Sequence, residues 1–185
     1  MTLIEETALR NDFKDIVDLI NPKYVTVKPV DVPGLLKRLV ITTVNVPTYV
    51  ITKNNSKPQE ANTISFYVDI SSGFPEVGPR VYYGDDVWLY HFNVFSSSGH
   101  SQCIDHWDSK NSHLAEAVKK TLQAIVFDPI IWKDKSKASS TPYEWQMDMY
   151  KKGKFPTMNP AVLFKDGVKR NPQATTRTSR TPRSV

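Results

Sequence analysis

Between Leu9 and Ile20 the apolar residues Leu9, Phe13, Ile16, Val17 and Ile20 recur at helical spacing, which predicts one amphipathic helix. Pro22 stops it, because the residue before a proline is disfavoured in the helical region. From there the period drops to two. The stretches "KYVTVKPV", "RLVITTV", "TYVIT", "TISFYVDI" and "PRVYYGDDVWLY" are β-branched or aromatic and read as strands, with "KNNSKPQEAN" as a polar loop among them. Four or five short strands with hairpin-scale connections predict an antiparallel meander.

The helical period returns after Ser112, where Leu114, Ala117, Val118, Thr121, Leu122, Ile125 and Val126 share one face. Ser112 is the expected N-cap, Glu116 lies in the first turn, and Pro129 places the end at Asp128. "TPYEWQMDMYKKGKF" predicts a further helix, capped by Thr141 with Pro142 at its first position and stopped at Gly153. The order is helix, meander, irregular segment, helix, helix. That is an α+β fold with helices flanking one antiparallel sheet.

Charge refines this picture. The chain has 185 residues and a net charge of +5, but residues 166–185 hold Lys169, Arg170, Arg177, Arg180 and Arg183 against Asp166 alone. The rest is close to neutral. The C-terminal segment is rich in Thr, Ser, Arg and Pro, so a body at 1–160 is expected to be followed by a basic, disordered tail at 161–185. Nucleic-acid binding would rest on that tail alone and is not expected. No apolar run approaches the ~20 residues of a membrane span. The first residues lack the basic start and apolar run of a signal peptide. A single cysteine fits a reducing compartment, so a cytoplasmic protein is expected.

The irregular segment is "WLYHFNVFSSSGHSQCIDHW", Trp88 to Trp107. It carries the only cysteine, Cys103, with His91, His100 and His106, and His113 follows it. Connections this long are uncommon in compact domains and tend to carry function. Polar neighbours (Ser101, Gln102 and Asp105) make Cys103 a candidate reactive thiol.

In order and content the segment resembles the active-site region of ubiquitin-conjugating (E2) enzymes. That family has a His-Pro-Asn triplet, a glycine, then the catalytic cysteine followed by an aliphatic residue and an aspartate, a tryptophan, and a helix ending in Asp-Pro. Here stand His91-Phe92-Asn93, Gly99, Cys103-Ile104-Asp105, Trp107 and Asp128-Pro129. Upstream, Phe74, Pro75, Pro79 and Val81 of "GFPEVGPRVYY" match the family's aromatic- and proline-rich stretch, and the resemblance covers roughly residues 3–160. Phe92 replaces the triplet's proline, the histidine-to-cysteine gap is about two residues longer than usual, Cys103 to Trp107 is shorter, and no proline follows Trp107. The resemblance implies a UBC-like fold: an N-terminal helix, a four-stranded antiparallel meander, the active-site loop, then two or more helices. It also implies a divergent member of the bacterial kind found in antiviral defence operons.

The implied reaction moves an acyl group twice. Cys103 would take the C-terminus of a ubiquitin-like modifier as a thioester from an E1-like activating enzyme and pass it to an amine on a target protein. Sulfur suits the middle position, being a good nucleophile and a good leaving group. The Asn93 amide is a neutral donor for the oxyanion, although holding the loop would also explain it. Asp105 would orient the incoming amine or take its proton. His91 is read as shaping the turn ahead of any acid–base work, and His100 and His106 each have the chemistry to take a proton near neutral pH. By resemblance, the polar face of the first helix (Glu5, Glu6, Arg10, Lys14) would dock the activating enzyme. There is no nucleotide-binding glycine loop, so activation falls to a separate protein, and the reading needs no metal and no cofactor.

Three rival readings remain at this stage. Cys103 with His106, His100 and His113 would make a zinc site, although no second cysteine is present. Cys103 with a histidine and an acid would make a hydrolase, although no helix begins beside the thiol. A non-catalytic modifier-binding module on the same fold is the third.

Overall fold

The structure is a computed structural model that describes residues 3–32, 35–95, 99–104, 107–109, 112–133 and 140–165. Among these, three α-helices and seven strands make an α+β fold with two antiparallel sheets. Helix α1 (Leu3–Leu19) buries Leu9 and Ile16, and Ile20 just beyond it, with Phe13 half-buried. Val17, expected on the same stripe, is 38% exposed, so the buried face is narrower than its apolar pattern.

The strands are β1 (Val25–Val32), β2 (Leu35–Thr43), β3 (Thr48–Thr52), β4 (Asn55–Ala61), β5 (Ser65–Ile70), β6 (Arg80–Tyr83) and β7 (Val87–Leu89). The expected four-stranded antiparallel sheet exists, in the order β1-β2-β5-β6, but it is not one uninterrupted meander. Between β2 and β5 the chain leaves it as the hairpin β3–β4, which joins β7 in a second sheet ordered β4-β3-β7. "KNNSKPQEAN" is therefore not a loop, because it contains β4. That strand lies at a sheet edge and buries no side chain fully, so it needs ladder bonds but no apolar face.

Pairing places Ile41, Phe66 and Tyr83 in one row and Leu39, Val68 and Val81 in the next, all buried. Helix α2 (Leu114–Ile125) adds Leu114, Val118, Leu122 and Ile125 to the same core. Its N-cap is His113 and not Ser112, whose hydroxyl instead accepts the Asp108 N–H at 3.0 Å.

Helix α2 also ends three residues before the expected Asp128. Phe127 takes a left-handed conformation (φ 57°), its N–H donating to Ala124 O and the Asp128 N–H to Gln123 O. This is a Schellman closure with phenylalanine where glycine is usual. The left-handed backbone costs about 1–2 kcal/mol. Burying the phenyl ring, stacked on Phe155 at 4.2 Å, offsets that with about 1.5–3 kcal/mol. A short 3-10 helix (Pro129–Lys133) follows.

Helix α3 (Ser140–Lys151) already includes Thr141, the expected cap. It closes at Gly153 (φ 68°), as expected of that glycine. The packed body continues past residue 160. Leu163 is buried, Phe164 bridges Ile20, and the Lys165 N–H donates to Leu19 O at 2.9 Å. The expected tail lies, from residue 166 on, outside the described residues. No helix of the described residues is long and apolar enough to cross a membrane.

Candidate active site

The segment after β7 folds back on itself as two arms. Residues 93–95 and 101–103 face each other as an antiparallel rung. The Cys103 N–H donates to Asn93 O (2.7 Å), the Phe95 N–H donates to Ser101 O (2.8 Å), and Val94 pairs with Gln102. The second arm also pairs with β6: the Gln102 N–H donates to Val81 O (2.8 Å) and the Tyr83 N–H to His100 O (3.2 Å). The buried Tyr83 hydroxyl donates to Gln102 Oε1 at 2.6 Å. The site is thus an outgrowth of the four-stranded sheet, and its frame is main-chain ladder rather than loose loop.

The first arm turns at His91. The His91 ring is fully buried, and its Nδ1 accepts the Asn93 N–H at 3.1 Å, so the proton sits on Nε2. Burial pushes its pKa down to about 3, which keeps it neutral. A ring sealed from solvent and bonded to the backbone shapes the turn. The sequence reading put that role ahead of acid–base work.

Asn93 and Cys103, with Gln102, Lys120, Gln123, Ile130 and Ile131, line one solvent-connected pocket of about 170 Å³. Cys103 is half-buried there, neither sealed in the core nor fully exposed. The Asn93 side-chain oxygen is buried without a partner among the described residues. Lys120, on α2, donates to Ile104 O at 3.4 Å and stands on the pocket wall. Trp107 is anchored on the "GFPEVGPRV" stretch. Its Nε1–H donates to Pro75 O (2.7 Å), its ring lies 5.8 Å from that of Phe74, and it covers Gly78.

Of the four residues singled out for catalysis, Asn93 and Cys103 come together and His91 supports them from beneath. Asp105 lies outside the described residues, as does His106. His100 stacks on Trp88 (3.6 Å, 8°), and burial lowers its pKa against the opposing pull of Asp85. His113 faces Asp12 of α1 at 3.9 Å. These two histidines point to different parts of the fold, and no three His, Cys, Asp or Glu side chains gather to hold a metal among the described residues. The side chains of Glu5 and Glu6 are likewise outside the described residues, while Arg10 and Lys14 are exposed on α1.

Two residues that contact this region escaped the sequence reading. Lys120 is a polar residue at the rim of an otherwise apolar helix pattern. Gln146 of α3 is fully buried and accepts the Phe92 N–H at 3.4 Å. A glutamine on an amphipathic helix reads as surface, so only the packing reveals it. Comparison with models of protein families, with curated proteins and with solved structures found no match for this chain.

Proposed function

We propose that this protein carries a ubiquitin-like modifier as a thioester on Cys103 and passes it to an amine on a target protein, on a UBC-like fold with an inserted β3–β4 hairpin. The observation that carries this reading is the shared pocket of Cys103 and Asn93, locked in register by the Cys103 N–H bond to Asn93 O. The thiolate attacks the activated carbonyl carbon, a C–S bond forms, and the donor enzyme's leaving group departs. A lysine amine then attacks the same carbon, the C–S bond breaks, the amine gives up its proton and the thiol is restored. The oxyanion of each step forms beside the Asn93 amide. The partners are an E1-like activating enzyme, the modifier and the target protein, and an antiviral defence system in the cytoplasm is the proposed setting.

The two sides of the pocket fit that chemistry. A half-buried sulfur admits an extended peptide end while limiting water. Nor do the described histidines place a strong base against the thiol: His91 is neutral beneath the turn and His100 is stacked on Trp88. A long-lived thioester requires that restraint.

The test combines the protein with its activating enzyme, modifier and ATP. A reductant-sensitive mobility shift is expected, absent in Cys103→Ala and replaced by a reductant-resistant oxyester in Cys103→Ser. A shift that survives Cys103→Ala would place the chemistry elsewhere, and no shift with the wild type would leave only a binding role.

A further inference from the structure

The turn from His91 to Val94 must find acceptors for its backbone N–H groups inside the protein. Three are satisfied locally: His91 to Leu89 O (3.1 Å), Asn93 to His91 Nδ1 (3.1 Å) and Val94 to His91 O (3.0 Å). The Phe92 N–H is satisfied from outside the segment, by Gln146 Oε1 on α3.

Gln146 is an expensive choice for that position. It is fully buried, and its Nε2 has no partner among the described residues. A methionine of equal length would fill the volume without leaving a buried donor unpaired. Packing alone therefore does not account for a carboxamide here, whereas its acceptor half does. The rest of the α3 face points to the same place. Tyr143 meets the Phe92 ring edge-on (5.6 Å, 81°) and Trp145 meets Tyr90 edge-on (5.0 Å, 65°). Helix α3 clamps residues 90–92, and Gln146 supplies the polar contact of the clamp.

We propose that Gln146 is a positioning residue. By taking the Phe92 N–H it fixes the His91–Val94 turn, and through that turn it sets the Asn93 amide beside an acyl carbon held on Cys103. The catalytic consequence rests on the acyl-transfer reading, whereas the link from Gln146 to the turn stands apart from it. Asn93 touches the reacting group; Gln146 acts only through it.

The experiment uses the full chain, nitrogen-15 labelled, as wild type, Gln146→Met, Asn93→Ala and the double variant. By NMR, the Phe92 amide is expected to exchange about tenfold faster in Gln146→Met. The sheet amides of Ile41 and Phe66 should keep their rates, and the Asn93 side-chain resonances should shift. For kinetics, Cys103 is charged by exchange with a glycine-ended peptide thioester of mercaptoethanesulfonate and discharged onto free lysine. Discharge should slow about tenfold in Gln146→Met, while alkylation of Cys103 by iodoacetamide stays unchanged. The double variant should discharge no more slowly than Asn93→Ala alone, because the two act in series. Multiplying losses, an exchange rate that rises equally at all amides, or unmoved Asn93 resonances would each overturn the proposal. If the wild type takes up no acyl group, the acyl-transfer reading fails, and the exchange and resonance measurements still decide whether Gln146 holds the turn.

Discussion

The two arms of the site are held by different means. The His91–Val94 arm is held by burial and by side chains: His91 and Phe92 are buried, Nδ1 and Gln146 take backbone N–H groups, and α3 lies across it. The 101–104 arm is held by its main chain, to β6 on one side and to the first arm on the other, and its Cys103 side chain stays half-buried in a pocket. On the proposed acyl-transfer reading, the contrast separates two requirements. A donor that stabilises developing charge must be fixed before the reaction, because reorganising it during the reaction forfeits its benefit. A nucleophile that receives a large acyl donor must be reachable.

Breaking the first arm gives the largest effect. Asn93→Ala should slow discharge of a Cys103 thioester to lysine on the order of 10²–10³, read in single turnover. Charging should persist, because the second arm is intact; loss of charging and discharge together would erase the distinction between the arms. Next in size is a pH effect carried by His91. Its pKa is about 3 in the folded protein, and an exposed histidine titrates near 6.5. The unfolded chain therefore binds the proton that the folded chain refuses, and stability falls as pH drops from 6.5 towards 3. Between pH 7 and pH 5 this amounts to about 2 kcal/mol. Denaturant unfolding at both pH values should show that much less pH dependence in His91→Gln than in the wild type.

Smaller changes sharpen the picture of the second arm. A Cβ at Gly78 would lie 2.7 Å from Trp107 Cγ, so Gly78→Ala must move that ring and strain its bond to Pro75. A cost of about 1 kcal/mol is expected, with faster alkylation of Cys103 and an unchanged Asn93 resonance. Equal disturbance of both arms would mean that the rung between them, and not the anchors particular to each, sets their order. Ser112→Ala removes the acceptor of the Asp108 N–H on the approach to α2 and should cost only about 0.5 kcal/mol in thermal unfolding.

The helices were legible because burial imposes a 3.6-residue period on α1 and α2, and proline and glycine mark their limits. The exact end of α2 was not, because a proline sets only the last position a helix can reach. The left-handed Phe127 depends on Phe155, whose partnership with it appears only after folding. Strand β4 was illegible because an edge strand exposed to water carries no alternation. At the site, Cys103, Asn93 and the turn-shaping His91 stood out by residue type and order. Gln146 did not, since a buried polar side chain leaves no trace in a pattern that separates apolar from polar.

The rung that joins Asn93 to Cys103 has a mechanical consequence. Because the two backbones are stitched together at residues 93–95 and 101–103, the rung itself sets the spacing of their main chains. A displacement of either backbone is therefore passed to the other through the Cys103–Asn93 and Phe95–Ser101 bonds.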